Sequence, residues 1–204
     1  MSVTAGQVKE LRELTGAGMM DCKNVLVETD GDMDKAVKLL REKGLAKAAK
    51  KADRAATQGI VKVNFAKDGK SASAIEVNSE TDFVAKNEEF IEFTGKLADI
   101  VLEKEIGDVD ELLTKPYGAE GAVAEALNSK IAKIGENMSI RRFARLAEPG
   151  CVYTGYTHGG GVIGVIVGFK TDAGADEIAV MGKDVAMQVA SMRPKFISDA
   201  DIDK

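Results

Sequence analysis

Hydrophobic residues near the start of the chain recur every three or four positions, as they do along one face of a helix. Thr4 and Gln7 have the spacing of a capping box, and Val8, Leu11 and Leu14 follow as one apolar stripe. The pattern therefore predicts a first helix that ends at the glycine-containing turn after Leu14.

Two further short helices are predicted in this part, the second over about 19–28 and the third beginning near Met33. Gly44 is predicted to end the third helix, because glycine commonly follows the last helical residue. The three helices together predict a small domain over 1–43. The core of the second helix is predicted to consist of Met20, Val25 and Leu26.

The hydrophobic period then changes to that of strands. Two runs of alternating apolar residues on either side of a turn at 67–70 predict a hairpin. Apolar residues at helical spacing predict a long helix over about 82–104, with Leu97 on its buried face. A further helix over about 119–134 and a strand beginning near Met138 complete this part.

The order hairpin-then-helix occurs a second time from Cys151 onward, with a glycine-rich turn at 158–161. The repeat predicts an α+β fold in which two related halves each place helices on one face of an antiparallel sheet. The first core subdomain is predicted over 58–148 and the second over 149–204. The last helix carries an apolar stripe of Ile178, Met181, Val185, Val189 and Met192.

Charge separates the first part of the chain from the rest, because residues 1–58 carry a net charge of +2 and the remainder −7. We interpret 44–57 as a basic helical linker, either a solvated face or a docking surface for a partner. The basic residues at and within this linker are Lys43, Lys47, Lys50, Lys51 and Arg54.

The composition is that of a globular protein of 204 residues, with 45% hydrophobic and 30% charged residues. A net charge of −5 disfavours nucleic acid as a direct partner, and the −7 of the remainder argues against RNA docked on the basic segment at 43–54. The long uncharged apolar run at 161–169 is far shorter than the roughly 20 residues of a membrane helix. The two cysteines are far apart and form no disulfide framework, so we expect a reduced cytoplasmic protein.

Residue types that carry catalysis or bind metals do not occur in the required patterns. His158 is the only histidine, and no G-x-S-x-G motif accompanies it. A partial phosphate-loop match at 69–71 joins two strands, and the G-x-G-x-x-G match at 159–164 precedes a strand where a nucleotide site needs a helix. We therefore predict that the chain is not an enzyme and holds no cofactor or metal.

Two segments contain apolar residues that a core does not readily explain. Phe83 follows Asp82 at a strand-to-helix junction, where it either begins the core stripe of the long helix or projects as a knob into a partner's pocket. Met19 and Met20 are adjacent and cannot both face one core stripe. One of them is therefore expected at an adaptable binding surface.

Four sequence blocks, including both of these segments, span almost the whole chain: LTGAGMMDCK at 14–23, EVNSETDFVAKN at 76–87, KIGEN at 133–137 with IRR at 140–142, and YTHG at 156–159. Together and in this order they resemble the elongation factor Ts family of bacteria and organelles. The resemblance implies a ubiquitin-associated-like three-helix domain, a linker helix and a core of two related α+β subdomains.

The resemblance also implies a function, that of a guanine-nucleotide exchange factor that releases GDP from elongation factor Tu. In the family, the pair that matches Asp82 and Phe83 meets the GTPase domain, and the phenylalanine enters an apolar pocket near the Mg²⁺ and phosphate site. The factor thereby acts on bound GDP and Mg²⁺ indirectly. The resemblance thus favours the knob for Phe83, and a binding module without exchange activity is the alternative function.

Further partner contacts are implied by the same resemblance for Met19, Met20, Lys23, Ile134, Gly135 and His158. For His158 the alternative is a turn residue beside three glycines. Val162 stands where many relatives carry a basic residue, so polar contacts near His158 are not implied. Longer family members continue further, so we expect the second subdomain to be incomplete, and a homodimer or a heterotetramer with elongation factor Tu is left open.

Overall fold

A computed structural model of the chain describes residues 3–196 and 198–202. Helices and antiparallel sheets confirm the predicted α+β class. In chain order the elements are α1 (Ala5–Thr15), α2 (Met19–Glu28), α3 (Met33–Ala49), β1 (Gln58–Phe65), β2 (Ala72–Ser79), α4 (Asp82–Ala85), α5 (Glu88–Glu103), α6 (Val109–Thr114), α7 (Val123–Ile134), β3 (Met138–Leu146), β4 (Cys151–His158), β5 (Ile163–Lys170) and α8 (Ala175–Met192).

The first three helices pack against one another around a small core. The predicted capping box is confirmed, since Thr4 Oγ1 accepts the Gln7 N–H at 3.2 Å and Gln7 Oε1 accepts the Thr4 N–H at 3.0 Å. Gly16 ends α1 in the left-handed conformation, with φ 66°. The buried residues of this core are Leu11, Cys22, Val25, Leu26 and Ala36.

The prediction that Met20 belongs to this core is wrong. Its side chain is 64% exposed, while Cys22 and Val25 on the same helix are buried. The reason is helix geometry, because residues two apart do not share a face and Met20 therefore points away from Cys22. Leu14, at the end of the predicted stripe of α1, is half exposed as well.

The third helix is longer than predicted, because Gly44 does not end it. α3 continues to Ala49, and Gly44 lies within the helix next to Ala132 of α7. A glycine inside a helix costs about 1 kcal/mol relative to alanine. The packing of α3 along α7 and the alanines after Gly44 outweigh this cost.

The single long helix predicted over 82–104 is in fact two helices. α4 ends at Ala85, and the side-chain oxygen of Asn87 accepts the N–H groups of Glu89 at 2.9 Å and Phe90 at 3.4 Å. Asn87 thus caps the start of α5 and interrupts the helix. The prediction for Leu97 is confirmed, since its side chain is fully buried in α5.

The region before α7 contains a short helix that the hydrophobic pattern does not predict. In α6, Asp108 caps the first turn by accepting the Glu111 N–H at 2.8 Å. α7 begins at Val123, later than the predicted start near 119, because residues 118–120 form a separate 3₁₀ turn.

Both predicted hairpins are present as neighbouring strands. One sheet has the strand order β1-β2-β3, and β4 pairs with β5 in an antiparallel hairpin in which Cys151 lies opposite Lys170 and His158 opposite Ile163. α8 packs against β4 and β5. This arrangement of sheet and helix is the one predicted for the second half.

The apolar stripe predicted for α8 is not its buried face. Apart from Ile178, the buried positions of α8 are small residues, Gly182, Ala186 and Ala190, whereas Met192 is exposed. A side chain at Gly182 would meet Thr154 of β4, which shows how closely this helix approaches the hairpin. Small residues therefore form most of the contact with the hairpin, and Met181, Val185 and Met192 are exposed.

The chain divides into two compact units that interleave along the sequence. The first contains 1–59, 77–90 and 106–141, and the second contains 60–76, 91–105 and 142–204. The domain boundaries predicted from the sequence stay predictions, because this division follows packing and not chain order. None of the helices in the described part of the chain has the length and apolar composition that a membrane crossing requires.

Candidate protein-binding site

Phe83 is the second residue of α4, the four-residue helix between β2 and α5. Its side chain is 82% exposed, whereas Val84 and Ala85 beside it are buried. The alternative in which Phe83 begins a core stripe is therefore wrong. The exposed ring lies on a short helix whose other apolar residues hold it against the protein.

A charged pair lies on either side of Phe83, with Asp82 at the start of α4 and Lys86 at its C-cap position. Lys86 Nζ lies 2.6 Å from Asp82 Oδ2, one helical turn apart. The hydrogen bond from Lys86 and the charge of Lys86 lower the pKa of Asp82 below its ordinary value. Asp82 is therefore ionised at neutral pH.

Thr81 caps α4 and connects it to the loop after α7. Its hydroxyl oxygen accepts the Val84 N–H at 3.4 Å. Its main-chain N–H donates to Glu136 Oε2 at 3.0 Å, and its hydroxyl donates to Glu136 Oε1 at 2.7 Å. One carboxylate of the loop thus holds the residue that precedes Asp82 and Phe83.

Ile134 and Gly135 lie at the end of α7, directly before Glu136. Gly135 adopts the left-handed conformation, with φ 90°, and its N–H donates to the Ile131 carbonyl at 3.0 Å. Its own carbonyl accepts a hydrogen bond from Lys51 Nζ at 2.8 Å. Through Glu136, the structure brings the predicted residues Ile134 and Gly135 together with Asp82 and Phe83.

Met19 and Met20 form the first turn of α2 in the same compact unit. Their side chains are 59% and 64% exposed, and Lys23 on the next turn is exposed as well. Gly18 occupies the N-cap position, where it has no side chain to hydrogen-bond the helix. Both methionines, and not one as predicted, are therefore available at the surface of this unit.

His158 belongs to the second compact unit, where it ends β4. Its Nδ1 lies 2.9 Å from the Tyr156 hydroxyl, and the three glycines that follow have positive φ. Val162, after these glycines, is 70% exposed. The tip of this hairpin thus presents an imidazole and an apolar side chain.

Glu136 and Asn137, which the sequence does not single out as functional, also fall in the block at 133–137. The available signal is a pair of polar residues directly after a helix-ending glycine, where main-chain groups need hydrogen-bond partners. Among the described residues, no group of three or more His, Cys, Asp or Glu side chains could hold a metal ion.

Exposed apolar side chains at the starts of α2 and α4 are the kind of surface that protein-binding factors present to a partner. Comparison with known proteins identifies the family to which the chain belongs. The family model of elongation factor Ts matches residues 80–204. Elongation factor Ts of Clostridium perfringens is 52% identical over 202 residues, that of Clostridium novyi 53% over 204 and that of Clostridioides difficile 52% over 202.

These alignments cover 99% of this chain and 66–67% of each relative. The chain therefore belongs to the elongation factor Ts family and is a translation elongation factor, which acts in protein biosynthesis. It spans about two thirds of the length of these relatives.

Proposed function

We propose that the chain is a guanine-nucleotide exchange factor that binds elongation factor Tu and promotes the release of its GDP. The observation that carries this proposal is the exposed ring of Phe83 on α4, in a chain that belongs to the elongation factor Ts family. A large apolar side chain that is exposed to solvent at the start of a helix is suited to fill a pocket of another protein.

The proposed mechanism makes and breaks no covalent bond. Phe83 enters an apolar pocket of the GTPase near its Mg²⁺ and phosphate site, while Asp82 contacts the surface beside that pocket. Fully burying a phenylalanine side chain contributes about 1.5–3 kcal/mol. Because coupling between two ligands is reciprocal, a factor that weakens GDP binding is itself bound less tightly when GDP is present.

The remaining predicted residues are proposed as further contacts with the same partner. In the first unit these are Met19, Met20 and Lys23 on α2 and Ile134 and Gly135 after α7; in the second unit it is His158. Their proposed role is to add contact area, since the exposed methionines adapt to the shape of a partner.

The test is stopped-flow measurement of fluorescent GDP release from purified elongation factor Tu, with and without this chain. We expect the release rate to rise with the concentration of the chain and to saturate. Tight binding without faster release would support the alternative, a binding module without exchange activity. Absence of binding would overturn both functions.

A further inference from the structure

We propose that Glu136 is a positioning residue for exchange: its carboxylate fixes the start of α4 and thereby holds Phe83 in the orientation that enters the partner's pocket. This inference rests on the proposed function. Glu136 lies one residue after Gly135, and its side chain reaches the loop between β2 and α4.

The two carboxylate oxygens of Glu136 bind two different groups of the same residue. Oε2 accepts the main-chain N–H of Thr81 at 3.0 Å, and Oε1 accepts the Thr81 hydroxyl at 2.7 Å. Hydrogen bonds to an ionised acceptor are stronger than those between neutral groups. Both the main chain and the side chain of Thr81 are therefore fixed by one acidic group.

Glu136 also determines how Thr81 caps the helix. A threonine hydroxyl has one proton to donate and two lone pairs to accept with. Because the proton is directed to Glu136, a lone pair is left for the Val84 N–H, which lies 3.4 Å away. The Thr81 carbonyl is bound too, since it accepts the Ser79 hydroxyl at 2.9 Å and the Ala85 N–H at 3.3 Å.

The loop that carries Glu136 is itself held in place. The Asn137 main-chain N–H donates to the carboxylate of Glu80, and its side-chain amide donates to the carbonyls of Ala52 at 3.2 Å and Arg54 at 2.7 Å. Lys51 donates to the Gly135 carbonyl at 2.8 Å. The segment after α3 therefore supports the same loop that fixes α4.

A helix of four residues needs this support, because a single turn does not offset the entropy of ordering its backbone. Phe83 itself is exposed and makes little contact that would orient it. Fixing an interface side chain before binding reduces the entropy lost on association. Glu136 thus acts on exchange through Phe83 and not by touching the partner.

The decisive experiment compares Glu136→Ala with Glu125→Ala in the GDP-release assay. Glu125 is a matched control, because its carboxylate also accepts a main-chain N–H, that of Ala122 at 2.9 Å, and pairs with Arg41 at 3.3 Å. At saturating factor, we expect Glu136→Ala to reduce the acceleration of release about tenfold and Glu125→Ala to change it less than about twofold. Equal effects of the two variants would overturn the inference.

Thr81 provides a second set of variants, for the case in which Glu136→Ala folds poorly. Thr81→Val removes the hydroxyl and is expected to lower the acceleration of release. Thr81→Ser keeps the hydroxyl and is expected to accelerate release like the parent. Glu136→Gln keeps one acceptor oxygen and is expected to give an intermediate rate. A Thr81→Ser variant as slow as Thr81→Val would contradict the role of the hydroxyl.

Combination with Phe83→Ala separates positioning from general stabilisation. Because Glu136 acts through Phe83, adding Glu136→Ala to Phe83→Ala should change release less than about twofold. A further tenfold loss in the double variant would overturn the inference. If the parent chain itself does not accelerate release, the proposed function fails. If Phe83→Ala alone accelerates release like the parent, the anchor role of Phe83 fails, whereas normal release by Glu136→Ala with a defective Phe83→Ala refutes the positioning role only.

Amide hydrogen exchange of the free chain tests the contact without the partner. We expect the Val84 and Ala85 amides to exchange faster in Glu136→Ala than in the parent and to be unchanged in Glu125→Ala. Unchanged exchange at Val84 in Glu136→Ala would show that the carboxylate does not fix α4.

Discussion

Phe83 and the Met19–Met20 pair are two exposed apolar surfaces of the same compact unit, and they are held in different ways. Phe83 lies on a helix whose first residue is preceded by Thr81, which Glu136 binds at two atoms. The two methionines begin a helix whose N-cap is a glycine without a side-chain hydrogen bond. One helix start therefore has a side-chain cap that a carboxylate holds in place, and the other has no side-chain cap.

The difference indicates two kinds of contact with a partner. Phenylalanine has few rotatable bonds, so a fixed backbone places its ring in one region of space. Methionine is unbranched and polarisable and adapts its shape to a partner. A fixed anchor can act on particular groups of the partner, while an adaptable surface contributes mainly contact area.

The largest expected effect destabilises the packing of α1, α2 and α3, of which α2 carries the methionines. Leu11 is fully buried in the core of α1–α3, so Leu11→Ala should lower the free energy of unfolding by about 2–5 kcal/mol. Urea denaturation followed by circular dichroism measures this, with Val27→Ala, an exposed position on α2, as the control. A loss no larger than that of the control would mean that this core contributes little.

The next largest effect concerns the fixed anchor. Phe83→Ala should lose at least about 2 kcal/mol of coupling to GDP release, a reduction of more than about tenfold in the acceleration. Its free energy of unfolding should stay within about 1 kcal/mol of the parent, because an exposed side chain leaves no cavity. Stopped-flow release and thermal unfolding are measured on the same variant.

Phe196→Ala is the control for this variant, since Phe196 is an exposed phenylalanine in the second unit. We expect it to leave GDP release unchanged. A Phe83→Ala protein that is destabilised yet retains full exchange per folded molecule would refute the role of Phe83 as an anchor.

A smaller effect is expected at the adaptable surface. Met19→Ala and Met20→Ala should each weaken binding to nucleotide-free elongation factor Tu by about 1 kcal/mol or less, since most interface residues contribute little alone. Met→Leu at either position conserves volume and should be tolerated. Titration calorimetry measures the affinity. A loss of affinity as large as that of Phe83→Ala would contradict the proposed difference between the two surfaces.

Local sequence signals predict those parts of the fold that depend on neighbouring residues. The Thr4–Gln7 box and the bounds of α2 agree with the structure, because caps and short periodic stretches are set within one or two turns. Gly44 and Asn87 are misjudged for opposite reasons. At Gly44 packing on α7 overrides a helix-ending residue, and at Asn87 a cap interrupts a continuous apolar period.

The exposure of Phe83 could not be predicted from periodicity. Phe83 and Phe90 are seven residues apart, a spacing that places both on one face of a continuous helix. Because the helix is interrupted at Asn87, Phe83 and Phe90 lie on two different helices and do not share a face. Phe90 is buried, and Phe83 is exposed. The contact between Glu136 and Thr81 joins residues 55 positions apart, and such a pairing has no local signal.

The smallest expected effect concerns the ion pairs of Glu89, at the start of α5, with two lysines of α7, all in the same unit as both surfaces. Glu89 is 3.1 Å from Lys130 and 2.8 Å from Lys133. Burial acts to raise the pKa of Glu89, but the hydrogen bonds from the two lysines outweigh it and lower the pKa below its ordinary value. The ionised form is therefore favoured by folding.

A lowered pKa in the folded state stabilises the protein above the unfolded-state pKa, about 4.3 for glutamate. This contribution is lost as the pH falls through the folded-state pKa. Glu89→Gln should thus lower the free energy of unfolding at pH 7, by less than about 1 kcal/mol because the ion pairs are partly exposed, and the difference from the parent should shrink below pH 4.3.

Urea denaturation at pH 7 and in acid measures this difference, and Glu92→Gln, at an exposed position of the same helix, serves as the control. The control is expected to differ from the parent by a small amount that does not change with pH. If Glu89→Gln behaves like the control, the α5–α7 ion pairs add nothing to stability. The contacts that position Phe83 would then be the Thr81–Glu136 contact and the hydrogen bonds of the loop that carries Glu136. The difference between Phe83 and the pair Met19 and Met20 would in that case depend on the Glu136 carboxylate alone.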